Sequence, residues 1–188
     1  MAGVEDFKRR NKPHINEEKS KYKQGYFKPK HPEKCVTKTN IYRSGWEAAL
    51  MDWFDRNDTI LRWGSEPIAI KYLNPVANMK YCKKNNLDST NPRNWQYANY
   101  YTDFWMEMRQ ADGSVKKIFV EVKPYAQTIP PKSLLPGASL KEHKAFNRAA
   151  ETYLVNTAKW KAALKFCRER GCDFIIVTEK TLGRLGLL

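Results

Sequence analysis

One stretch of the chain, residues 100–123, alternates between apolar and polar side chains on both sides of a tight turn. It reads YYTDFWMEMRQADGSVKKIFVEVK, and the turn is its Ala-Asp-Gly sequence. A three-residue hairpin loop usually ends in a left-handed residue, and Gly113 adopts that conformation without strain. The stretch therefore predicts a β-hairpin in which position 110 faces position 114.

This register gives the hairpin a mainly apolar face and an acidic face. Phe104 lies across from Val120 on the apolar face. On the other face Asp103 lies across from Glu121, with Lys123 two residues further along. Opposed carboxylates destabilise a strand pair unless a cation lies between them, and a divalent metal beside a lysine would meet that need. The alternative is an ordinary amphipathic hairpin with a solvated polar face, and a two-residue loop would separate the two acids.

The segment from about Ser44 to Asn57 is predicted to be a helix that packs on a sheet. Its apolar side chains recur at helical spacing, at positions 46, 49, 50, 53 and 54. Glu47 falls on the rim of this stripe, and it has two interpretations. With Ser44 it forms a capping box that ties down the start of the helix, or it is a third carboxylate that leans over the sheet edge toward the hairpin.

The chain is predicted to be one domain preceded by an arm. Its 188 residues, of which 41% are hydrophobic, are enough for one core. Residues 1–40 lack apolar periodicity and are predicted to be a basic extended arm. The domain then covers residues 41–188, with a long insertion loop over residues 74–98 between two strands.

Further elements follow from periodicity and from helix-ending signals. Short strands are predicted at residues 60–63 and 67–72, and two helices at about residues 140–153 and 157–170. Gly171 is a natural residue to follow the second of these helices. The run FIIVT at residues 174–178 predicts a strand buried on both faces, and a short final helix begins at about residue 181.

The net charge of +14 is unevenly distributed. Residues 1–40 and residues 132–188 each carry eleven basic and five acidic side chains, whereas residues 41–131 carry twelve and ten. Basic surplus on both sides of the acidic motifs favours a polyanionic partner, with nucleic acid first. The candidate DNA contacts are Arg43, Lys28, Lys30, Lys159 and Lys161. A solvated arm and a solvated helix face are the alternatives for these lysines.

The cysteines and the apolar runs bear on the compartment. Cys35, Cys82, Cys167 and Cys172 show neither a Cys-x-x-Cys pair nor zinc-finger spacing, so reduced structural thiols are predicted. A zinc site that Cys35 or Cys82 shares with His31 is the alternative. No apolar run approaches membrane-spanning length, and the first residues lack the apolar centre of a signal peptide, so a cytosolic protein that is not secreted is expected.

A glutamate on a helix, an aspartate on one strand and Glu-x-Lys on the next resemble the PD-(D/E)XK nuclease superfamily, although Tyr101-Thr102-Asp103 stands where Pro-Asp is common. The segments RSGWEAALMDWFD, WGSEPIAIKY, YYTDF, EVKP and CDFIIVTEKTL resemble the endonuclease subunit of heteromeric transposases. The segments NTAKWKAALKFCRERG and VTEKTLGRLG are more similar to the head-completion nucleases of T-even-like tailed phages. The similarity covers about residues 40–188.

The resemblance implies an α/β fold with a restriction-endonuclease-like αβββαβ core, in which helices flank a central mixed sheet. It also implies an endonuclease that depends on Mg²⁺ or Mn²⁺ and hydrolyses phosphodiester bonds. The implied catalytic residues are Glu47, Asp103, Glu121 and Lys123, and the first three are the implied metal ligands. Carboxylate oxygens suit Mg²⁺, and a lysine suits the developing charge of the phosphate.

The phage resemblance further implies a role in the virion and the host cytoplasm, on packaged double-stranded DNA ends before the neck and tail join. The implied protein partners are the portal, the neck or other head-completion proteins, and no membrane is involved. Two other functions stay open. One is a non-catalytic head-closure plug with a nuclease-like fold, and the other is the cutting subunit of a transposase or restriction system.

Overall fold

The computed structural model describes residues 24–188. Residues 1–23, which make up more than half of the predicted arm, lie outside the described residues. The strands are β1 (Gly25–Phe27), β2 (Asn40–Tyr42), β3 (Ile60–Ser65), β4 (Ala69–Leu73), β5 (Tyr97–Tyr101), β6 (Phe104–Arg109), β7 (Val115–Val122) and β8 (Asp173–Val177). The helices are α1 (Gly45–Arg56), α2 (Pro75–Lys84), α3 (Leu140–Glu169) and α4 (Glu179–Arg184).

A four-stranded mixed sheet forms the centre, in the order β3-β6-β7-β8. The first three strands are antiparallel, and β8 runs parallel to β7. The apolar stripe of α1 packs on one face of this sheet. There the ring of Phe54 is tilted against the ring of Trp63 and meets the ring of Phe104 edge to face. The order α1, β3, β6, β7, α3, β8 is the αβββαβ core that the sequence predicted, so the fold class is confirmed.

The hairpin has the predicted register. Phe104 pairs with Val120, and the amide of Gln110 donates to the carbonyl of Ser114 at 2.8 Å. Gly113 has φ = +81°, the left-handed conformation that the turn requires. Positions 103 and 121 therefore lie at the open end of this hairpin, opposite the turn.

The predicted insertion loop over 74–98 contains regular structure. Asn74 caps α2 by accepting a hydrogen bond from the amide of Ala77 at 3.0 Å, and Pro75 occupies the first turn of the helix. The buried Asn78 then bonds to both backbone groups of Gln96 and so fastens α2 to the approach to β5. Beyond it, β5 pairs with β4 as a separate two-stranded sheet.

The two helices predicted between residues 140 and 170 form one continuous helix, α3, of 30 residues. No glycine or proline interrupts residues 140–169, and the buried Asn156 lies inside the helix. Gly171 follows the helix with φ = +63°, as predicted. The strand after it is not buried on both faces, because Ile175 is 39% exposed and β8 is the edge of the sheet.

The described part of the predicted arm, residues 24–40, contacts the rest of the chain. Strand β1 pairs with β2, and Phe27 packs against the ring of Trp63 with centroids 5.8 Å apart. The backbone amides of Lys30 and His31 donate to the buried carboxylate of Asp55. The division of the chain at residue 40 stays a prediction, and these contacts tie its described side to α1 and β3.

The four cysteines are free thiols. No helix within residues 24–188 combines the length and the apolar character needed to cross a membrane.

Candidate active site

The open end of the hairpin brings two acidic side chains and one lysine together. Asp103 immediately precedes β6, and its Oδ2 accepts a hydrogen bond from the amide of Val122 at 2.7 Å. Glu121 lies near the end of β7 and is only 1% exposed. Lys123 follows β7, and its Nζ lies 2.9 Å from Oε1 of Glu121. The alternation of the strands therefore places all three groups on the same side of the sheet end.

The second oxygen of Glu121 has a donor of its own. The hydroxyl of Tyr100, on β5, donates to Oε2 of Glu121 at 2.7 Å. Lys123, just after β7, and Tyr100, on β5, thus hold the two oxygens of one buried carboxylate. Burial is the main cause that raises the pKa of Tyr100, and the charge of Glu121 adds to it, so the phenol stays protonated as a donor.

Glu47 lies in the first turn of α1 and hydrogen-bonds to the residues just before that turn, while its role as a site residue stays a prediction. Its Oε1 accepts a hydrogen bond from Ser44 Oγ at 2.9 Å and its Oε2 accepts one from the amide of Arg43 at 2.8 Å, which ties down the start of the helix. Its charge also interacts with Lys123 and Asp103. Glu47 therefore fastens its own helix end and adds negative charge to the same site.

Burial raises the pKa of two of these carboxylates, and repulsion adds to the effect on Asp103. Burial raises the pKa of Asp103 well above its ordinary value, and the charges of Glu121 and Glu47 raise it further, against Lys123 and the Val122 amide. Burial also raises the pKa of Glu47, in spite of its hydrogen bonds from Arg43 and Ser44. The carboxylates of the site are therefore harder to ionise than they would be in water.

Two ammonium groups face this charge. Burial alone would lower the pKa of Lys123, but Asp103, Glu121 and Glu47 outweigh it and raise that pKa. Lys159, on α3, interacts with Glu121 and Asp103, while burial and the charge of Lys123 lower its pKa. Its Nζ lies 5.4 Å from the centroid of the Tyr100 ring. Two of the five predicted DNA contacts therefore lie beside acidic residues of the site in the described structure: Lys159, and Arg43, whose amide donates to Glu47.

The side chain of Arg43 and the other three candidate DNA contacts have different surroundings. The guanidinium of Arg43 pairs with Glu66 at 3.2 Å. The side chains of Lys28, Lys30 and Lys161 are exposed. Their binding to DNA stays a prediction.

Tyr100 and the position of Lys159 are features of the site that the sequence did not indicate. Tyr100 is 21 residues before Glu121 and on a different sheet, so no strand or helix periodicity relates them. Lys159 reaches the site from α3, which follows the hairpin in the sequence. Only the tertiary packing of α3 against β4 brings its side chain to the tyrosine.

The donor set at this site suits magnesium better than zinc. Within residues 24–188 no three His, Cys, Asp or Glu side chains form a ready-made cage for a metal ion, and this holds for the zinc alternative at Cys35, Cys82 and His31. Mg²⁺ needs no such cage, since one or two carboxylates, several waters and substrate phosphate complete its shell. Asp103 and Glu121 form such a pair, and a divalent ion would relieve the repulsion that raises the pKa of Asp103.

Two comparisons with known proteins bear on this geometry. Residues 57–179 match the family model described as TnsA-like endonuclease N terminal, and this range contains Tyr100, Asp103, Glu121, Lys123 and Lys159 but not Glu47. The chain is also 36% identical over 146 residues to the head completion nuclease of Enterobacteria phage T4. That alignment covers 77% of this chain and 82% of the phage protein.

Proposed function

Because the chain belongs to the TnsA-like endonuclease family and thus has a nuclease role, we propose that it is a metal-dependent endonuclease that hydrolyses phosphodiester bonds of double-stranded DNA. The observation that carries this proposal is the juxtaposition of Asp103 and Glu121, with Lys123 bonded to one of them at 2.9 Å. Burying charges that repel one another costs stability, and a structural role does not account for that cost.

In this proposal Asp103 and Glu121 would hold Mg²⁺ or Mn²⁺, and Glu47 would hold a water of that ion or support a second ion. When bound, the ion neutralises phosphate charge and lowers the pKa of a coordinated water. Lys123 stays protonated, because the surrounding carboxylates raise its pKa. It therefore orients the attacking water and stabilises the developing negative charge as a hydrogen-bond donor rather than as a base.

The finer proposal concerns where this cleavage takes place. We propose that the substrate is the end of packaged phage DNA, trimmed before the neck and tail join the head. The support is the 36% identity to a protein named a head completion nuclease. The chain would then act in the virion and the host cytoplasm, next to the portal, the neck or other head-completion proteins.

The family match supports a second candidate, the cutting subunit of a transposase-like system. The two candidates share the same site and differ in their partner proteins. A third possibility is the non-catalytic plug. Phage heads assembled with the Asp103→Asn chain in place of wild type distinguish cleavage at packaged ends from such a plug. Uninfectious heads support cleavage at packaged ends, and infectious heads support a plug.

Titration of supercoiled plasmid cleavage with MgCl₂ tests the proposed activity. We expect nicking that depends on the metal, and a loss of roughly 1,000-fold in rate for Asp103→Asn and for Lys123→Met, since about 4 kcal/mol of transition-state stabilisation would be removed. Binding of DNA should survive in both variants. Asp173→Asn is the matched control, because Asp173 lies at the start of β8 and, within residues 24–188, forms an ion pair with Lys116 at 3.6 Å, away from the acidic site. Wild-type rates in both site variants would refute the assignment.

A further inference from the structure

Two buried tyrosines lie side by side beneath Lys159. The rings of Tyr72 and Tyr100 meet edge to face with centroids 6.2 Å apart, and both are almost fully buried. The Nζ of Lys159 lies 6.0 Å from the centroid of Tyr72 and 5.4 Å from that of Tyr100. The two rings therefore share one environment and one cation.

Their hydroxyls differ in their partners. The Tyr100 hydroxyl donates to Oε2 of Glu121 at 2.7 Å, whereas the Tyr72 hydroxyl accepts a hydrogen bond from Nδ2 of Asn74 at 3.1 Å. Only the first reaches the acidic residues. This difference makes Tyr72 an internal reference for any effect of Tyr100.

We infer that Tyr100 is a positioning residue that fixes the Glu121 carboxylate, and that Lys159 is a second cation of the active site, which meets the DNA phosphate from α3 while Lys123 meets it from the open end of the hairpin. The inference rests on the proposed nuclease function and adds two residues to it. Neither residue belongs to the acidic motifs of the hairpin.

The part assigned to Tyr100 follows from the two contacts of Glu121. A carboxylate at the end of a flexible side chain can rotate, and a metal ligand must not. Lys123, just after β7, holds Oε1, and Tyr100, on β5, holds Oε2. With only one of these donors the carboxylate would keep a free rotation about the remaining contact, so the hydroxyl fixes the direction in which the other lone pairs point.

The part assigned to Lys159 follows from its surroundings. An ammonium over an aromatic face is held in place by the ring electrons, and two rings hold this one. It interacts with Glu121, Asp103 and Lys123 across the site. A phosphate bound at Lys123 would therefore also interact with the ammonium of Lys159, which belongs to α3.

Binding of Mn²⁺ to the full chain without DNA, measured by titration calorimetry, tests the role of Tyr100. Loss of an outer partner of a metal ligand weakens metal binding about 10- to 100-fold, so we expect Tyr100→Phe to bind Mn²⁺ at least about tenfold more weakly than wild type. Tyr72→Phe removes a hydroxyl from the same ring pair and should bind as wild type does. Equal Mn²⁺ affinity in the two variants would overturn the role of Tyr100.

The division between kcat and KM for plasmid cleavage tests the role of Lys159. We expect Lys159→Met to lower kcat about 100-fold, as for other preorganised charges at a reacting phosphate, and Lys159→Arg to recover most of that loss. Lys144→Met removes an exposed lysine from the same helix and is the matched control. A Lys159→Met variant in which only KM rises would show that Lys159 is an ordinary DNA contact and would overturn this part.

The two assays separate this inference from the proposed function. If wild type binds Mn²⁺ but never cuts DNA, while Tyr100→Phe binds it more weakly than Tyr72→Phe, the positioning role stands and the nuclease function falls. If wild type cuts DNA and Tyr100→Phe matches Tyr72→Phe, the function stands and the positioning role falls. A wild-type chain that binds no Mn²⁺ overturns both.

Discussion

The chain buries carboxylates in two regions and surrounds them differently. Asp55, in the last turn of α1, is fully buried and accepts hydrogen bonds from the amides of Lys30 at 2.7 Å and His31 at 3.3 Å. At the hairpin end, Asp103 accepts one from the amide of Val122 and faces the charge of Glu121. In the first region donors converge on one acid, and in the second several acids converge on one another.

The difference teaches what each region contributes. A buried carboxylate with sufficient donors stabilises the fold, and removing it leaves those donors unsatisfied. A buried carboxylate that faces others costs stability, and the chain retains such a cost where it serves function. Asp55 therefore joins residues 24–40 to α1, whereas Asp103 prepares a place for a cation.

The strongest way to break this comparison is the same substitution in both regions. We expect Asp55→Asn to lower the free energy of unfolding by about 2 kcal/mol. The amide NH2 group of asparagine replaces one carboxylate oxygen, so a donor would face the two backbone N–H donors that the carboxylate now accepts from. Asp103→Asn should leave the free energy of unfolding unchanged or raise it, because the amide oxygen still accepts from Val122 while the repulsion with Glu121 disappears. Urea unfolding of the metal-free chain measures both.

The cleavage rate provides the control for these two variants. Asp55→Asn should cut plasmid at the wild-type rate per folded molecule, since Asp55 bonds to residues of the N-terminal segment and not to the site. An Asp103→Asn chain that loses as much stability as Asp55→Asn would show that the two acids have the same structural role.

A smaller effect is expected at the lysine beside Asp55. Lys34 Nζ donates to the carbonyls of Asp55 and Asn57 at 2.9 and 3.0 Å, at the end of α1 where the helix dipole is negative. Lys34→Met should lower the free energy of unfolding by about 1 kcal/mol. Lys38→Met, an exposed site in the same segment, should change it much less.

Thermal unfolding of these two lysine variants, with cleavage measured in parallel, tests whether the region around Asp55 is purely structural. If Lys34→Met also slowed cleavage of the folded chain, the contact region around Asp55 would be coupled to the active site. Equal stability of the two variants would show that Lys34 is a solvated charge.

Local signals allowed the hairpin and the first helix to be predicted. Gly113 sets the turn and so the register, and the capping of α1 by Ser44 follows from the Ser-x-x-Glu spacing. These features depend on neighbours a few residues away. The open end of the hairpin, where Asp103 and Glu121 meet, follows from the register alone.

Other features depend on contacts that no local pattern contains. The hydrogen bond from Tyr100 to Glu121 crosses between two sheets, and Lys159 arrives from α3. The helix α2 had a local signal, Asn74 followed by Pro75, but its weak amphipathic pattern hid it. The continuity of α3 through Asn156 could not be predicted either, because a buried polar residue in a helix interior resembles a break.

The last expected effect is a dependence of stability on pH that arises at the acidic site. The folded-state pKa of Asp103 lies well above its ordinary value of 3.8, because of burial and of Glu121. Folding therefore favours the protonated carboxyl, and the stabilisation from this group is fully present below pH 3.8 and is lost as the pH rises through the folded-state pKa. Glu47, whose folded-state pKa is raised above 4.5 chiefly by burial, acts in the same direction.

The difference in free energy of unfolding between Asp103→Asn and wild type isolates the part due to Asp103, because surface carboxylates titrate in both chains and cancel. Without metal, this difference should be smallest near pH 4 and should grow in favour of Asp103→Asn as the pH rises, measured by urea unfolding at intervals up to neutrality. Added Mn²⁺ should reverse it at neutral pH, since only wild type presents both carboxylates to the ion and binding stabilises the folded state. A difference that stayed constant with pH would mean that folding does not raise the pKa of Asp103, and the repulsion inferred at the site would then be refuted.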